Sequence, residues 1–171
     1  MPVAQLNART VDLARYAERL NPEGILYNCT AFGEGIEQAA RTPELPVLKP
    51  NEAMFDEAFN YGDNLAMIYT FPPSVGGMEK EFYEAAELRG SKAKLHSVFA
   101  QGAMDALKDS DASSHNNIVA SVAKGIDNFD AILLAQFSTA QAAPVVRNTI
   151  DTPVLTGPES AINKMKSSII T

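Results

Sequence analysis

Ile25-Leu-Tyr-Asn-Cys-Thr-Ala-Phe-Gly33 is a short apolar run that ends in the chain's only cysteine and then turns small and polar. A helical segment over 34–41 follows it. The pattern predicts a buried strand over 25–29 that delivers a thiol to a strand-to-helix turn. Backbone N–H groups at the start of a helix are unpaired and carry partial positive charge. They stabilise a nearby thiolate or bound anion, so Cys29 is the first candidate for chemistry. A free cysteine in a strand also serves as a small apolar core residue, and that reading competes with the first. Thr30 beside it suits either a donor to a ligand carboxylate or a helix cap.

On the N-terminal side, Val3, Leu6, Val11, Leu13, Ala14, Ala17 and Leu20 recur at roughly helical spacing, and Asn21-Pro-Glu-Gly24 stops the helix. On the C-terminal side, Leu45-Pro-Val-Leu-Lys-Pro50 reads as a short strand, and Asn51 as the cap of a helix over 52–61. Leu65-Ala-Met-Ile-Tyr-Thr70 predicts a buried strand that runs into Phe71-Pro-Pro-Ser-Val-Gly-Gly77 and a helix over 78–89. Ser74 and the two glycines at that junction suit an anion pocket, because glycine admits a ligand close to the backbone. A plain loop satisfies the same residues. Further strands are predicted at 94–99, 130–135 and 152–155. Helices fall at 103–108, 115–127, 140–148 and 159–168.

Strands alternating with helices define an α/β chain with parallel sheet and crossover helices. Ligands in such folds gather at the carboxyl ends of strands. Cys29, Thr70, Ser74, Gln136, Ser138 and Thr139 all fall at or just beyond such ends.

Two halves of the chain match at one offset. Ile25-Leu26 pairs with Ile132-Leu133, and Pro46-Val-Leu48 with Pro153-Val-Leu155, both 107 positions apart (132 − 25 and 153 − 46). Repetition at constant spacing predicts duplicated lobes facing each other across a cleft. Residues 1–51 plus 153–171 form the first lobe and 52–152 the second. The offset sets Cys29 opposite Gln136. Counterparts of strand 65–70, helix 78–89 and strand 94–99 would fall before residue 1. The first lobe is therefore expected to lack a strand-helix-strand unit, through truncation or because another chain supplies it. An open sheet edge of that kind favours association, including with a second copy of this chain.

Composition bounds the function. A chain of 171 residues with 46% apolar and 20% charged residues can bury a substantial core. A net charge of −7 without a Lys/Arg cluster argues against nucleic acid and anionic membrane as partners. No apolar run reaches the roughly 20 residues of a membrane span. One cysteine forms no internal disulfide, so a reducing cytoplasm is the expected location. That cysteine and the two histidines are too dispersed to suggest a zinc site. His115 reads as a cap or surface residue, and His96 as a strand residue. Glu79, Glu81, Glu84 and Glu87 read as a solvated helix face, while Met54, Met67, Met78 and Met104 read as core.

Tyr27-Asn-Cys-Thr-Ala-Phe-Gly33, Gly102-Ala-Met-Asp-Ala-Leu107, Asp111, His115, Leu134-Ala-Gln-Phe-Ser138 and Pro153-Val-Leu-Thr156, taken in order, resemble the aspartate/glutamate racemase superfamily. Hydantoin racemases, maleate isomerases and arylmalonate decarboxylases belong to the same group. The resemblance covers the whole chain, short of the N-terminal unit just described. It implies cofactor-independent proton transfer at a carbon next to a carboxylate, on a small carboxylate or amino-acid substrate. Racemases of the family use two cysteines, one per lobe. Cys29 matches the first, and Gln136, which is neither acid nor base, stands at the second. Thr30, Thr70, Ser74, Gln136, Ser138 and Thr139 would form the substrate-binding side. The departure at Gln136 keeps two other expectations open. One is a single-cysteine decarboxylase or cis–trans isomerase on a small dicarboxylate. The other is an inactive small-acid-binding or truncated homologue.

Overall fold

The apolar runs near 65–70 and 130–135 become the two central strands of a four-stranded parallel sheet. The computed structural model describes residues 3–29, 33–41 and 45–169. In chain order its elements are α1 (Val3–Glu18), β1 (Ile25–Leu26), α2 (Gly33–Ala40), β2 (Val47–Leu48), α3 (Glu52–Ala58), β3 (Asn64–Tyr69), α4 (Val75–Arg89), β4 (Lys94–Phe99), α5 (Ala103–Lys108), α6 (Ala112–Lys124), β5 (Ala131–Leu134), α7 (Ala143–Arg147), β6 (Val154–Thr156) and α8 (Gly157–Ile169). Short 3-10 segments lie at Pro72–Ser74 and Phe137–Ala142. The large sheet has the order β4-β3-β5-β6, and β1 and β2 form a separate two-stranded parallel sheet.

Residues of β3 and β5 alternate between two cores, as the period of a strand covered on both faces requires. Ala66, Ile68, Ile132 and Leu134 pack with Val119, Ala123 and Val146 from α6 and α7. Leu65, Met67, Ala131 and Leu133 pack with Met54, Phe55, Met78 and Phe82 from α3 and α4.

The internal repeat holds in three dimensions. Ile25 and Leu26 face Val47 and Leu48 across β1–β2, while Ile132 and Leu133 face Val154 and Leu155 across β5–β6. The register is the same at the same offset. Even the entry bond recurs: the Ile25 N–H donates to the Pro46 carbonyl and the Ile132 N–H to the Pro153 carbonyl, each at 2.8 Å. Pairing β6 with β5 places Val154–Thr156 in the four-stranded sheet, not with the first lobe to which its sequence position was assigned. α8, which follows it, packs against α3.

Three local expectations change. α1 buries Asn7, Thr10 and Ala14 while Val3, Leu13 and Tyr16 stay exposed, as does Leu20 just past its end. Its polar side faces α2, where a Cβ on Gly35 would stand 3.0 Å from Thr10, so only a glycine lets the helices approach this closely. Asn51 precedes α3 without a side-chain cap bond, is 1% exposed, and its amide nitrogen has no partner. His115 is completely buried within α6, its Nδ1 2.8 Å from the Asn116 amide oxygen; the cap is Asp111, which accepts the Ser114 N–H.

Candidate functional site at the strand ends

Parallel strands deliver their carboxyl ends to one side, and there β3 and β5 bring polar residues together. β3 ends into Thr70, whose side chain is 1% exposed. β5 ends into Ala135, whose N–H donates to the Ile68 carbonyl and keeps the two strands joined to their tips. Gln136 comes next, and its backbone departs from the strand with φ 63° and ψ 142°. That conformation is comfortable only for glycine and costs a side-chain-bearing residue on the order of 1–3 kcal/mol.

The Gln136 carboxamide offsets this strain. Its Oε1 accepts the Thr70 N–H at 3.1 Å and the Thr70 hydroxyl at 3.3 Å. Its Nε2 donates to Ser74 Oγ at 2.9 Å and approaches Met78 Sδ at 3.7 Å. Ser74 Oγ in turn donates to the Phe71 carbonyl at 2.9 Å. Thr139, fully buried, donates its N–H to the Gln136 carbonyl, and its hydroxyl lies 3.5 Å from that of Thr70. Thr70, Ser74, Gln136 and Thr139 thus form one neutral hydrogen-bonded group. Ser138 takes part in the turn through its carbonyl, which accepts from Gln141 Nε2. Gly76 and Gly77, in the first turn of α4, are exposed, and a Cβ on either would meet nothing within 4 Å.

Cys29 is an exposed free thiol, two residues beyond Tyr27, whose N–H donates to the Leu48 carbonyl as the last bond of the small sheet. The Tyr27 hydroxyl donates to the Thr10 carbonyl at 2.7 Å and anchors this turn to α1. Thr30 lies outside the described residues. Among the described residues no group of three or more His, Cys, Asp or Glu side chains is placed to hold a metal ion, and no helix is long and apolar enough to cross a membrane.

Two cavities lie elsewhere. One of about 360 Å³ is lined by Glu57, Tyr61, Arg147, Thr156 and Glu159 among others. A groove of about 800 Å³ separates α2 from α3 and α4. Lys49 bridges it, with Nζ 3.0 Å from Glu37 and 3.7 Å from Glu81. Burial pushes the Glu81 carboxyl up to about 7, with Lys49 opposing and Glu52 and Glu37 adding to the rise. Glu81 was expected on a solvated face; it is instead largely buried, with one carboxylate oxygen accepting no hydrogen bond. Met78 is core as its sequence reading expected, but its place beside Gln136 was not foreseen, and Lys49 was not singled out. A methionine on a core face and a lysine near a proline carry no local signal of either role.

The two parallel sheets at matched register make a two-lobed α/β fold, and that fold is shared with solved racemases. No family model and no curated protein matches the sequence, so the likeness is structural. An allantoin racemase from Klebsiella pneumoniae aligns with a TM-score of 0.73 at 18% identity, over 94% of this chain and 64% of that one. A glutamate racemase from Francisella tularensis, solved in complex with D-glutamate, aligns with a TM-score of 0.70 at 14% identity, over 99% and 65%. An aspartate racemase from Picrophilus torridus gives 0.64 at 16% identity, over 91% and 66%. The chain spans 64 to 66% of the length of these racemases.

Proposed function

We propose that the chain carries racemase-type or isomerase chemistry: cofactor-independent proton transfer at a carbon next to a carboxylate, with Cys29 as the proton-transferring group. Thr30, Thr70, Ser74, Gln136, Ser138 and Thr139 form the substrate side in this reading, and the substrate is a small carboxylate or amino acid. The observation that carries it is the repeat. β1 and β5 enter their sheets through the same bond at the same register, so the exposed thiol after β1 and the strained Gln136 after β5 occupy equivalent strand ends. Racemic chemistry needs a group on each face of the reacting carbon. The neutral amide of Gln136 supplies no proton acceptor, and this favours a one-sided variant: the thiol works alone, as in a decarboxylase or cis–trans isomerase on a small dicarboxylate.

Incubation in deuterium oxide separates the outcomes. Incorporation of deuterium at the α-carbon of aspartate or glutamate, lost in Cys29→Ala, is the expected result for proton transfer. Carbon dioxide release from a substituted malonate, or conversion of maleate to fumarate, with the same dependence on Cys29, moves the assignment to the one-sided reaction. Turnover that is unchanged in Cys29→Ala removes the thiol from the mechanism.

A further inference from the structure

A cluster of charged side chains spans the groove between the lobes. α2 packs on α1 and β2, and the groove of about 800 Å³ separates it from α3 and α4. Lys49, just past β2, reaches into this space. Its Nζ lies 3.0 Å from Glu37 of α2 and 3.7 Å from Glu81 of α4. The first contact is a hydrogen bond and the second is too long for one, so Lys49 is committed to its own lobe. Glu81 Oε1 is shut away from solvent and accepts no hydrogen bond. An ionised carboxylate held there has neither water nor a donor to offset its burial. The other charged groups around it do not relieve this. Glu37 from α2 and Glu52 from α3 face Glu81 with the same sign. Lys164 of α8 is taken by Glu52 and Asp56, each at 2.7 Å, and Arg89 of α4 by Asp56 at 3.0 Å. On α4 itself Glu84 pairs with Lys80, and Glu87 adds a further acid to the groove wall, with Arg41 just past α2.

We propose that Lys49, Glu37 and Glu81 form a proton-sensitive latch between the lobes: with Glu81 protonated the groove between α2 and α4 is closed, and with Glu81 ionised it opens and admits water to the carboxylate. A proton on Glu81 cancels the unmet charge, so the closed arrangement keeps its packing at no electrostatic cost. Without the proton, only separation of α2 from α4 hydrates the buried oxygen. The direction of the Glu81 shift agrees with this geometry: burial, reinforced by Glu52 and Glu37 and opposed by Lys49, raises the carboxyl to about 7. The closed form therefore holds the proton more tightly than a hydrated form does, and loss of the proton shifts the balance toward the open groove.

Two nitroxide spin labels on the full chain read the width of the groove. Gln38 on α2 is exposed, and a Cβ on Gly77 in α4 meets nothing within 4 Å, so Gln38→Cys and Gly77→Cys in a Cys29→Ser background carry the labels outside the groove wall. Double electron–electron resonance then gives the distance distribution at pH 5.5 and pH 8.5. The ratio of long to short distances is expected to rise at least about 10-fold between the two. Glu81→Gln keeps the shape without the charge and is expected to hold the short distance at both pH values. Lys49→Met removes the attraction that opposes opening and is expected to give a larger open fraction at pH 8.5. In the unlabelled wild type, the Glu81 carboxyl carbon and the α2 amides of Ile36 and Ala39 should titrate together with one midpoint near pH 7, a readout that needs no variant to fold. Equal distances at both pH values, opening that persists in Glu81→Gln, a Lys49→Met groove that stays closed at pH 8.5, or separate midpoints for Glu81 and α2 overturns the latch.

Discussion

Glu81 Oε1 lies 3.7 Å from Lys49 Nζ, and the two side chains, 17% and 20% exposed, join α4 to the end of β2 across the groove between the lobes. The pair is not a simple stabilising ion pair. Burial costs the Glu81 carboxylate more than Lys49 returns, so its pKa rises from 4.5 to about 7.

The folded chain therefore holds this proton more tightly than the unfolded chain does. Between about pH 4.5 and 7 it binds more protons than the unfolded state, and stability falls as pH rises through that window. At about 1.4 kcal/mol per pH unit the full penalty above pH 7 amounts to at most about 3 kcal/mol. Glu81→Gln removes the titration while keeping the shape. Urea unfolding at pH 5 and pH 8 should show the wild type losing stability relative to the variant, with Glu81→Gln the more stable of the two at pH 8. Parallel pH profiles for the two proteins would contradict the assignment.

Phe82 sits where α4 meets α3, edge-on to Phe55 at 5.4 Å and tilted against Phe59 at 5.2 Å, with no exposed surface. Truncation leaves a cavity between two helices and the sheet that backbone movement cannot close. Phe82→Ala is expected to cost about 3–5 kcal/mol, measured by the shift of the urea midpoint at unchanged slope.

Much of this was legible in the sequence, and the parts that were not share a cause. The Phe82 helix, the central strands and the offset repeat all rest on local periodicity, which a strand or helix imposes on its own residues. Thr70 and Gln136 were legible as strand-end residues for the same reason, whereas the buried strand expected over 25–29 is only the partly buried Ile25–Leu26, and Cys29 lies exposed three residues past its end. What failed depended on a partner segment. Val154–Thr156 reads as a strand, but which sheet it joins is decided by β5. Glu81 reads as one of four spaced acids, and only its burial in the groove, opposite Lys49 just past β2, makes it different. α1 has its large apolar residues outward, because α2 demands a close, small-residue contact that Asn7, Thr10 and Gly35 provide. The Gln136 backbone angle left no trace either, since nothing in glutamine's chemistry announces a positive φ.

The repeat permits a controlled comparison of one strand pair in two settings. β5–β6 lies inside a four-stranded sheet covered on both faces, and Leu133 has no exposed surface. β1–β2 is a sheet of two strands in which Leu26 is only partly buried. Two-stranded sheets are marginal without added cover. Native-state hydrogen exchange should find the Tyr27 amide opening at a free energy well below that of the Ile132 amide, although both bond to a carbonyl of a Pro-Val-Leu segment. Leu133→Ala should cost about 2–5 kcal/mol and Leu26→Ala clearly less. Equal protection at the two amides would mean that the small sheet is covered as thoroughly as the large one.

Two glycines test whether the backbone contacts are as tight as they stand. A Cβ on Gly157, at the start of α8, would lie 2.8 Å from the Pro50 carbonyl oxygen and 3.3 Å from the Phe137 ring. The carbonyl belongs to the backbone between β2 and α3 and has little room to retreat. Gly157→Ala is therefore expected to destabilise by about 1–3 kcal/mol through overpacking. Gly76 lies in the first turn of α4, and a Cβ there meets nothing within 4 Å. Gly76→Ala should gain up to about 1 kcal/mol from helix propensity alone. The two variants differ by a single methyl group each, so opposite shifts in thermal midpoint isolate the contact. A Gly157→Ala protein as stable as the wild type would show that α8 and the Pro50 backbone move apart without cost.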